Sequence, residues 1–268
     1  LPGIIVRSFT ISEGSLSLCV AKPVEEIQVS DAIGIDRNLR NVTAGNEGKV
    51  TYYDVSKVVK IAENARSIIR SFKRNDVRIR SLVAAKYGRR RQDRIRQILN
   101  RVSKHIVEEA NRNKCVIVLE EIKGIRKLYR RGNLQGRASR GRMNSWPFGE
   151  LKRQIEYKAA WEGVPVVTLS VGETKGTTMD CPRCGERLQA AVRGDLRHHR
   201  KLWCQKCERW DDRDLIAVMN ISHRGWVRFA QSKGEAGEAV KRNPEGTRQQ
   251  VILRVDASKP GLSHPTKT

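Results

Sequence analysis

Long apolar runs are absent from this sequence, because no stretch approaches the roughly 18 consecutive apolar residues that a membrane-spanning helix needs. Aromatic residues make up only 5% of the chain, and all hydrophobic residues together make up 38%. A composition this lean predicts a small core, with much of the chain at the surface or in arms and tails. The sequence therefore does not favour a membrane-spanning protein.

Acidic residues are also in short supply. The chain has 29 Asp and Glu against 53 Lys and Arg, which gives a formal net charge of +24. This excess favours a polyanion as the partner, and nucleic acid is the first candidate. A membrane surface is the competing polyanion, but the basic helices carry no aromatic face for insertion.

The positive charge is concentrated in two stretches. Residues 57–104 hold sixteen Lys and Arg against three acids, and residues 123–149 hold eight with no acid. The second stretch is rich in Gly and Ser, which predicts a loop that is mobile in the free protein. We predict nucleic-acid contacts at Arg89, Arg90, Arg91, Arg126, Lys127, Arg130, Arg131, Arg137 and Arg140.

Signals for export are missing, since "LPGIIVRSFT" has no basic region followed by an apolar one. The six cysteines agree with a reducing compartment, with Cys19 and Cys115 in strand-like runs as buried thiols. We therefore expect a cytoplasmic, nucleoid-associated protein. Because the chain begins at Leu1 without a methionine, we expect a fragment or a processed product.

The periodicity of the apolar residues predicts an α/β fold. Residues 4–9 and 16–20 form a predicted hairpin, and 32–35 and 50–53 are the first two strands of a new sheet. Two amphipathic helices follow from residue 55, and the apolar run "CVIVLEE" at 115–121 is typical of a strand buried on both faces. A helix at 149–162 and the strand "VPVVTLSV" complete a strand, helix, strand order that indicates a sheet covered by helices.

Four cysteines have the spacing of a zinc site. Cys181 and Cys184 form one CxxC pair and Cys204 and Cys207 form another, nineteen residues later. Two residues between cysteines let both thiolates reach one tetrahedral ion, and four sulfur ligands leave it no open position. We expect a structural Zn²⁺; the alternative is two unrelated redox pairs.

Chemistry therefore has to come from other residues, and three acids are the candidates. Asp36 ends the first strand of the new sheet, Glu120 ends "VIVLE", and Asp214 lies on the helix after the cysteines. Each acid alone is commonly a cap or a turn former. As a set, they could hold two Mg²⁺ or Mn²⁺ ions for displacement at a phosphodiester.

Five segments, in order, resemble the TnpB family, which insertion sequences encode and which is ancestral to type V CRISPR effectors. They are "IGIDRNLRNVTAGN", "VIVLEEIKGI", "SWPFGELKRQIEYKAAWEGVPVVTLS", "CPRCG" and "CQKCERWDDRDLIAVMNI". The resemblance implies an RNase H-like (RuvC) mixed sheet with flanking helices, a long basic helical hairpin and an inserted four-cysteine zinc ribbon. It also implies RNA-guided, metal-dependent DNA cleavage, with DNA and guide RNA as partners and Asp36, Glu120 and Asp214 as catalytic metal ligands.

The same resemblance divides the chain. Residues 1–30 are expected to end an N-terminal β-barrel module, and 31–175 to form the nuclease core with a helical insertion at 55–112. Residues 176–210 are the expected zinc ribbon and 211–229 the last segment of the core. Residues 230–268 are rich in Gly, Lys, Glu, Pro and Ser, which predicts a disordered tail with "VILRV" as its only candidate strand.

Three departures from the family pattern keep a second reading open. Glu121 and Ile122 stand where the family usually has Asp and Leu, and Ile216 stands where it usually has a supporting Asn. Nearly all of the N-terminal module that helps to hold guide RNA and target DNA is missing. The alternative is a weak or inactive zinc-ribbon protein that binds nucleic acid. Asp211 and Asp212 compete with Asp214 as the third metal ligand, and Asp214 is preferred from its place in the motif.

Overall fold

The structure, a computed structural model, describes residues 3–12, 15–72, 77–122, 124, 127, 136–191, 199–240 and 249–256. In chain order, its elements are β1 (Ile5–Ser12), β2 (Ser15–Val24), β3 (Asp31–Arg37), β4 (Asn41–Gly45), β5 (Val50–Asp54), α1 (Ser56–Ser71), α2 (Val77–Arg112), β6 (Cys115–Glu120), α3 (Arg137–Ser145), α4 (Phe148–Glu162), β7 (Val166–Leu169), β8 (Gln189–Ala190), β9 (Lys201–Cys204), β10 (Arg209–Asp212), α5 (Arg213–Val240) and β11 (Gln249–Asp256). Arg126, Arg130 and Arg131, three of the predicted nucleic-acid contacts, lie outside the described residues.

A mixed five-stranded sheet carries the predicted α/β architecture. Its strand order is β5-β4-β3-β6-β7. The strands β3, β4 and β5 pair antiparallel, whereas β3, β6 and β7 run parallel. The prediction of a mixed α/β fold is therefore confirmed.

The strand β4 is the element of this sheet that the sequence prediction missed. We predicted two strands between residues 32 and 53, and the structure has three. The segment Asn41–Gly45 is only five residues long, and two of its members are Asn and Thr. Its Val42 and Ala44 are nevertheless buried, so pairing with both neighbours makes the strand.

Helices cover both faces of the sheet, as the apolar run in β6 predicted. On one face, Ile35 and Ile117 pack in a core with Leu99 of α2 and Ile155 of α4. On the other face, Val118 packs in a second core with residues of α5. Because alternate residues of a strand point to opposite faces, both sets of β6 side chains are buried.

Two glycines let α5 pack closely on the sheet, one in β3 against the helix backbone and one in α5 against a side chain of β6. A Cβ atom on Gly34 would lie 2.4 Å from the carbonyl oxygen of Val218, and one on Gly225 would lie 2.2 Å from Cγ1 of Val118. No larger residue fits at either position without a shift of the helix. These contacts fix the distance of α5 from β3 and thereby the position of Asp214 at its first turn.

The aromatic residues of α4 and the turn before it are core residues. Trp146 is 2% exposed and Phe148 is 8% exposed, and their rings pack edge to face with centroids 5.9 Å apart. Trp161 is half-buried, with Nζ of Lys22 4.7 Å from its ring centroid. Packing therefore accounts for these rings in the free chain.

The C-terminal region differs from its prediction as a disordered tail. The helix α5 continues to Val240, and Gln249–Asp256 forms β11, which contains the candidate strand "VILRV". The strand β11 pairs antiparallel with β2, on the side opposite β1. The open edge of β2 offers unpaired backbone groups to a further strand, which accounts for the difference. Residues 241–248 and 257–268 lie outside the described part.

The prediction of a continuous loop over residues 123–149 is wrong for residues 137–145, which form α3. Contacts with α1 hold this short helix in place. Nη2 of Arg66 donates a hydrogen bond to the Gly141 carbonyl oxygen at 2.7 Å, and Nη1 of Arg142 lies 3.7 Å from Oε1 of Glu63. Tertiary contacts therefore stabilise a helix that the composition did not favour.

None of the helices in the described part of the chain combines the length and the apolar character needed to span a membrane.

Candidate active site and metal centre

Asp36 and Glu120 lie next to each other at one edge of the five-stranded sheet. The strands β3 and β6 run parallel with Ile35 opposite Leu119, and the two acids are the next residue of each strand. Asp214 is the second residue of α5, which packs on the same sheet. The structure thus brings together, at one sheet edge, acids that the sequence places in three separate segments.

Two asparagines hold the carboxylates of Asp36 and Asp214, and one of them, Asn38, bridges the two acids. Nδ2 of Asn38 donates to Oδ2 of Asp36 at 2.7 Å and to Oδ1 of Asp214 at 3.1 Å. Nδ2 of Asn41 donates to Oδ2 of Asp214 at 2.9 Å. Asn38 lies in the turn after β3 and Asn41 is the first residue of β4, so one short segment orients the carboxylates of Asp36 and Asp214.

Arg200 supplies the positive charge next to Asp214. Its Nη2 lies 2.7 and 2.6 Å from the two carboxylate oxygens, and the Asp214 side chain is only 8% exposed. Arg200 precedes β9 in the cysteine-rich domain. The segment between Cys184 and Cys204 therefore contacts the acid cluster through this ion pair.

The electrostatics of the cluster oppose its full ionisation. Burial, together with the charges of Glu120 and Asp214, raises the pKa of Asp36 to about 7, although the hydrogen bond from Asn38 acts in the other direction. Burial also raises the pKa of Glu120, against the effects of Thr177 and Arg37. Clustered acids with raised pKa values are typical of sites that bind cations or transfer protons.

Glu120 is held from two sides. Oγ1 of Thr177 donates to Oε1 of Glu120 at 3.3 Å. The guanidinium of Arg37 donates to the backbone carbonyl oxygens of Glu120 and Phe148. Arg37 is only 6% exposed, its Nε has no partner among the described residues, and burial lowers its pKa. This buried cation joins β3 to the end of β6 and the start of α4.

The three acids are close but do not form a compact ligand cage. Among the described residues, only the four cysteines form a group of three or more His, Cys, Asp or Glu whose ligating atoms all lie within 4.8 Å of one another. The acid set provides the hard oxygen donors that Mg²⁺ and Mn²⁺ prefer. Arg200 occupies both oxygens of Asp214 in this arrangement, so that a cation would have to compete with it.

The four cysteines do meet, and they could hold a metal ion. Sγ of Cys181 lies 3.8 Å from Sγ of Cys207, and Sγ of Cys184 lies 3.5 Å from Sγ of Cys204. Four sulfurs at about 2.3 Å from a tetrahedral ion lie about 3.8 Å apart, so the spacing fits zinc. All four are free thiols, and β8, β9 and β10 form a small sheet beside them.

The thiol of Cys181 is prepared for ionisation. Burial opposes its charged form, but the backbone N–H groups of Cys184 and Arg183 lower its pKa to about 7. Burial raises the pKa of Cys204, and the contact with the Cys184 side chain raises the pKa of Cys207, so the metal-free cluster ionises first at Cys181. A metal binds thiolates and would therefore displace protons from the other cysteines.

The two acids that competed with Asp214 have other partners. Asp211 lies 3.0 Å from Nη1 of Arg183 and 2.8 Å from Nη2 of Arg209. Oδ1 of Asp212 accepts a hydrogen bond from the backbone N–H of Asp214 at 2.8 Å, which places it at the start of α5 as a cap. Only Asp214 shares a hydrogen-bond donor with Asp36.

Ile216, which departs from the family pattern, is a packing residue here. It is 1% exposed and packs in the same apolar cluster as Cys181, Cys204, Leu188 and Leu202. The side chain therefore joins α5 to the cysteine domain. The carboxylate of Asp214 instead accepts hydrogen bonds from Asn38 and Asn41.

Sequence reasoning missed four residues that contact the acids: Asn38, Asn41, Thr177 and Arg200. The two asparagines follow Asp36 within the same short motif, so their position was a usable signal. Thr177 and Arg200 come from distant loops, and nothing in their local sequence marks them.

The basic residues predicted to bind nucleic acid differ in their exposure and in the elements on which they lie. Arg89 and Arg90 are exposed on α2, and Arg91 is half-buried beside them. Arg137 is exposed at the start of α3, and Arg140 is half-buried on the same helix. Lys127 is exposed in the short described segment after β6.

Comparisons with known proteins cover most of the chain. A family model described as Cas12f1-like, TNB domain matches residues 148–221, which include α4, the cysteines and Asp214. The chain is 29% identical over 221 residues to the TnpB-like protein MJ0751 of Methanocaldococcus jannaschii, covering 79% of this chain and 75% of that protein. It is 27% identical over 222 residues to a Streptomyces pristinaespiralis protein provisionally named an RNA-guided DNA endonuclease.

Among solved structures, the cryo-EM structure of a Cas12f1–sgRNA–target DNA complex has the same fold over 77% of this chain, with a TM-score of 0.53 and 17% identity. The chain spans 41% of that Cas12f1 chain and 50% of the Streptomyces protein.

Proposed function

Because this chain belongs to the TnpB family, we propose that it is the nuclease portion of a metal-dependent DNA endonuclease that is guided by RNA when complete. The protein with a TnpB-like name and the relative named as an RNA-guided DNA endonuclease support the substrate and the guide. Association with a transposable element and a cytoplasmic, nucleoid-associated location belong to the same proposal.

The proposal includes an RNase H-like (RuvC) core at residues 31–175 and 211–229. The mixed sheet, the helices on both of its faces and the acids at one edge support this assignment. Residues 1–30 would end a β-barrel module, 55–112 would form a helical insertion, and 176–210 would form the zinc ribbon.

The observation that carries the proposal is the meeting of Asp36, Glu120 and Asp214. Each comes from a different element, and the pKa of Asp36 is raised partly by the charges of the other two. An acid cluster of this kind is costly in a metal-free fold and becomes favourable when divalent cations neutralise it. A merely structural role for the three acids would not require this cost.

The three acids would hold Mg²⁺ or Mn²⁺, and the bound ions would supply an activated nucleophile and stabilise charge on the phosphodiester. Asp36 has to lose its proton near neutral pH to act as a ligand. Asn38 would hold the carboxylates of Asp36 and Asp214 at a fixed separation, because it donates hydrogen bonds to both. Arg200 would release Asp214 to the cation, and its guanidinium would then be available for a phosphate oxygen.

The four cysteines would hold one structural Zn²⁺. Their sulfur atoms already lie at the edge lengths of a tetrahedral site. Zinc at this position would stabilise the segment that carries Arg200, and Ile216 would transmit the packing to the first turns of α5.

DNA and guide RNA are the proposed partners, with phosphate contacts at the nine predicted basic residues. An affinity that falls steeply with salt is expected, because each neutralised phosphate releases counterions. An affinity that does not change with salt would contradict this part of the proposal.

The test is a nuclease assay on single-stranded DNA with Mg²⁺ or with EDTA. We expect metal-dependent cleavage by the wild type and a loss of about a hundredfold or more in Asp36→Ala, since metal contributes several kcal/mol to such reactions. Asp93→Ala, which removes an exposed acid of α2, is the matched control and should cleave like the wild type.

A second candidate is a weak or inactive protein that binds nucleic acid through the zinc ribbon and the basic helices. Two observations favour it: Arg200 neutralises Asp214, and the three acids do not form a compact ligand cage. Binding by the wild type without cleavage, unchanged in Asp36→Ala, would support this candidate over the enzyme.

A further inference from the structure

A cavity of 660 Å³ opens between α1, α2, α3 and the first turn of α4. Its walls carry five arginines and a single acid: Arg66, Arg70, Arg91, Arg96, Arg137 and Glu150. The arginines come from three different helices. Charged residues on one helix face are usually only solvated, but these side chains converge from separate elements on one concave space.

Glu150 can offset only one of the five positive charges, and its carboxylate is shared with residues outside the cavity. Its carboxylate accepts hydrogen bonds from Nε and Nη2 of Arg153 at 3.1 and 2.8 Å, and from Nε2 of Gln154 at 2.8 Å. Neither of these partners lines the cavity. Glu150 also forms an ion pair with one cavity arginine, since Nε of Arg96 lies 3.7 Å from its Oε1. The cavity therefore keeps a large excess of positive charge.

Three of the arginines are unpaired within the described part of the chain. Arg70, Arg91 and Arg137 have no carboxylate there within 4.0 Å of the guanidinium nitrogens. Arg66 differs, because its Nη2 is held by the Gly141 carbonyl oxygen. Like charges gathered in a cavity repel one another, so their arrangement becomes favourable when an anion occupies the space.

The inner wall of the cavity is apolar. Trp146 and Ile95 are buried and line the cavity on its inner side. The guanidinium group is planar and matches two oxygens of one phosphate. The volume lies within the usual range of about 300–1,000 Å³ for ligand sites, so it accommodates a short segment rather than a duplex.

From these observations we infer that the arginine cavity binds adjacent phosphate groups of one nucleic-acid strand and fixes the register of that strand on the helices α1 to α3. The site is separate from the acid cluster and needs no divalent cation. The inference rests on the proposed function in one respect, because it assumes that nucleic acid is the partner. RNA and DNA share the phosphodiester that the cavity would recognise, and the test separates them.

The test compares two triple variants that each remove three positive charges. Arg70→Gln, Arg91→Gln and Arg137→Gln change the cavity. Arg94→Gln, Arg101→Gln and Arg112→Gln change exposed residues of α2 that do not line it. Binding of a labelled single-stranded RNA and of the DNA of the same sequence is measured in EDTA over a range of salt concentrations. Circular dichroism checks that both variants keep the fold.

We expect the cavity variant to lose about tenfold or more in affinity near physiological salt. The slope of log K against log salt should become less steep by about 2, since a single strand contributes roughly 0.7 per phosphate contact. The control variant should change both quantities much less. The nucleic acid, RNA or DNA, whose affinity falls more in the cavity variant is the one that the cavity binds.

Equal losses in the two triple variants would overturn the inference, because the charge would then act without a site. Tighter binding of a free nucleotide than of the oligonucleotides would also overturn it, and would assign the cavity to a small phosphate compound. Absence of any nucleic-acid binding by the wild type would contradict the proposed function itself. If the wild type does not cleave DNA, but the cavity variant still binds nucleic acid more weakly than the control variant, only the nuclease proposal is contradicted. The two failures are therefore distinguishable.

Discussion

Asp36 and Asp214 accept hydrogen bonds from the same nitrogen, Nδ2 of Asn38, at 2.7 and 3.1 Å. One acid lies at the end of a central strand and the other at the start of the last long helix. The separation of the two carboxylates at the sheet edge therefore depends on a neutral donor, Asn38, two residues after Asp36 in the chain. This arrangement makes Asn38 the positioning residue of the proposed metal site.

Replacing Asn38 by Ala should weaken metal-dependent cleavage without unfolding the protein. Loss of a residue that orients ligands typically reduces metal affinity or activity by about 10- to 100-fold. The cleavage rate should therefore need a higher Mg²⁺ concentration to reach half of its maximum. Asn46→Ala is the control, since Asn46 also donates to an aspartate, Asp31, but in an exposed turn. An unchanged Mg²⁺ dependence in Asn38→Ala would contradict the positioning role.

The raised pKa of Asp36 predicts how stability depends on pH in metal-free protein. The pKa of Asp36 is about 7 in the folded protein, against an ordinary value of 3.8. Between these two pH values the folded state therefore binds more protons than the unfolded state. The free energy of unfolding should therefore fall as pH rises from about 4 to about 7, and this penalty should stay constant above that range. Asp36→Asn removes the penalty. At pH 8 the free energy of unfolding of Asp36→Asn should exceed that of the wild type by a few kcal/mol, because one pKa unit corresponds to about 1.4 kcal/mol.

Urea unfolding in EDTA at several pH values measures this difference. Asp93→Asn should follow the wild type at every pH, because Asp93 is exposed. Addition of Mg²⁺ at pH 8 should stabilise the wild type and leave Asp36→Asn nearly unchanged, since a ligand stabilises only the state that binds it. A wild-type stability that rises between pH 4 and pH 7 relative to Asp36→Asn would contradict the assigned environment of Asp36.

The sequence allowed much of this site to be predicted, and the physical reason is local. Asp36 and Glu120 each end an apolar run that the sequence predicts as a strand, and the structure pairs these two strands in parallel, which brings the acids to one edge. The partner Arg200 could not be predicted in this way. It reaches Asp214 only because the cysteine domain folds back against α5, and this depends on packing by Ile216 rather than on any local signal.

The glycines that seat α5 give a prediction about the geometry of the site. Gly34→Ala places a Cβ atom against the backbone of Val218, so α5 has to move and Asp214 moves with it. We expect a loss of roughly 1–3 kcal/mol in stability, as for other overpacked sites, and a large loss of cleavage. Gly88→Ala is the control: Gly88 lies in α2 with open space around it, and the change should stabilise the fold by about 0.4–1 kcal/mol. Equal stability of the two variants would contradict the close packing.

The helix α3 and the predicted disordered tail show where sequence reasoning was limited by composition, although the candidate strand "VILRV" does lie in β11. The residues 137–145 are rich in Arg, Ser and Gly, which suggested a loop, yet the bond from Arg66 to Gly141 holds a helix there. The strand β11 forms on the open edge of β2, which lies far away in the sequence. In both cases a contact between distant residues outweighs the local preference.

The cysteine cluster predicts one zinc ion per chain. Elemental analysis of the purified protein should find it, and Cys184→Ser should remove most of the metal and destabilise the fold, because structural zinc contributes to folding. Cys115→Ser is the control for losing a thiol, since Cys115 lies in the sheet core away from the cluster. Cys184→Ser should also impair cleavage, because the segment with Arg200 loses its support. Full zinc content in Cys184→Ser would contradict the four-cysteine site.

The most direct test of the central claim is anomalous diffraction from crystals of the protein grown with Mn²⁺. We predict manganese peaks within about 2.5 Å of carboxylate oxygens of Asp36, Glu120 and Asp214, with Arg200 moved away from Asp214. Zinc at the four cysteines serves as the internal standard at its own absorption edge. Full zinc occupancy there, no manganese near the three acids and an unbroken ion pair between Arg200 and Asp214 would contradict the account.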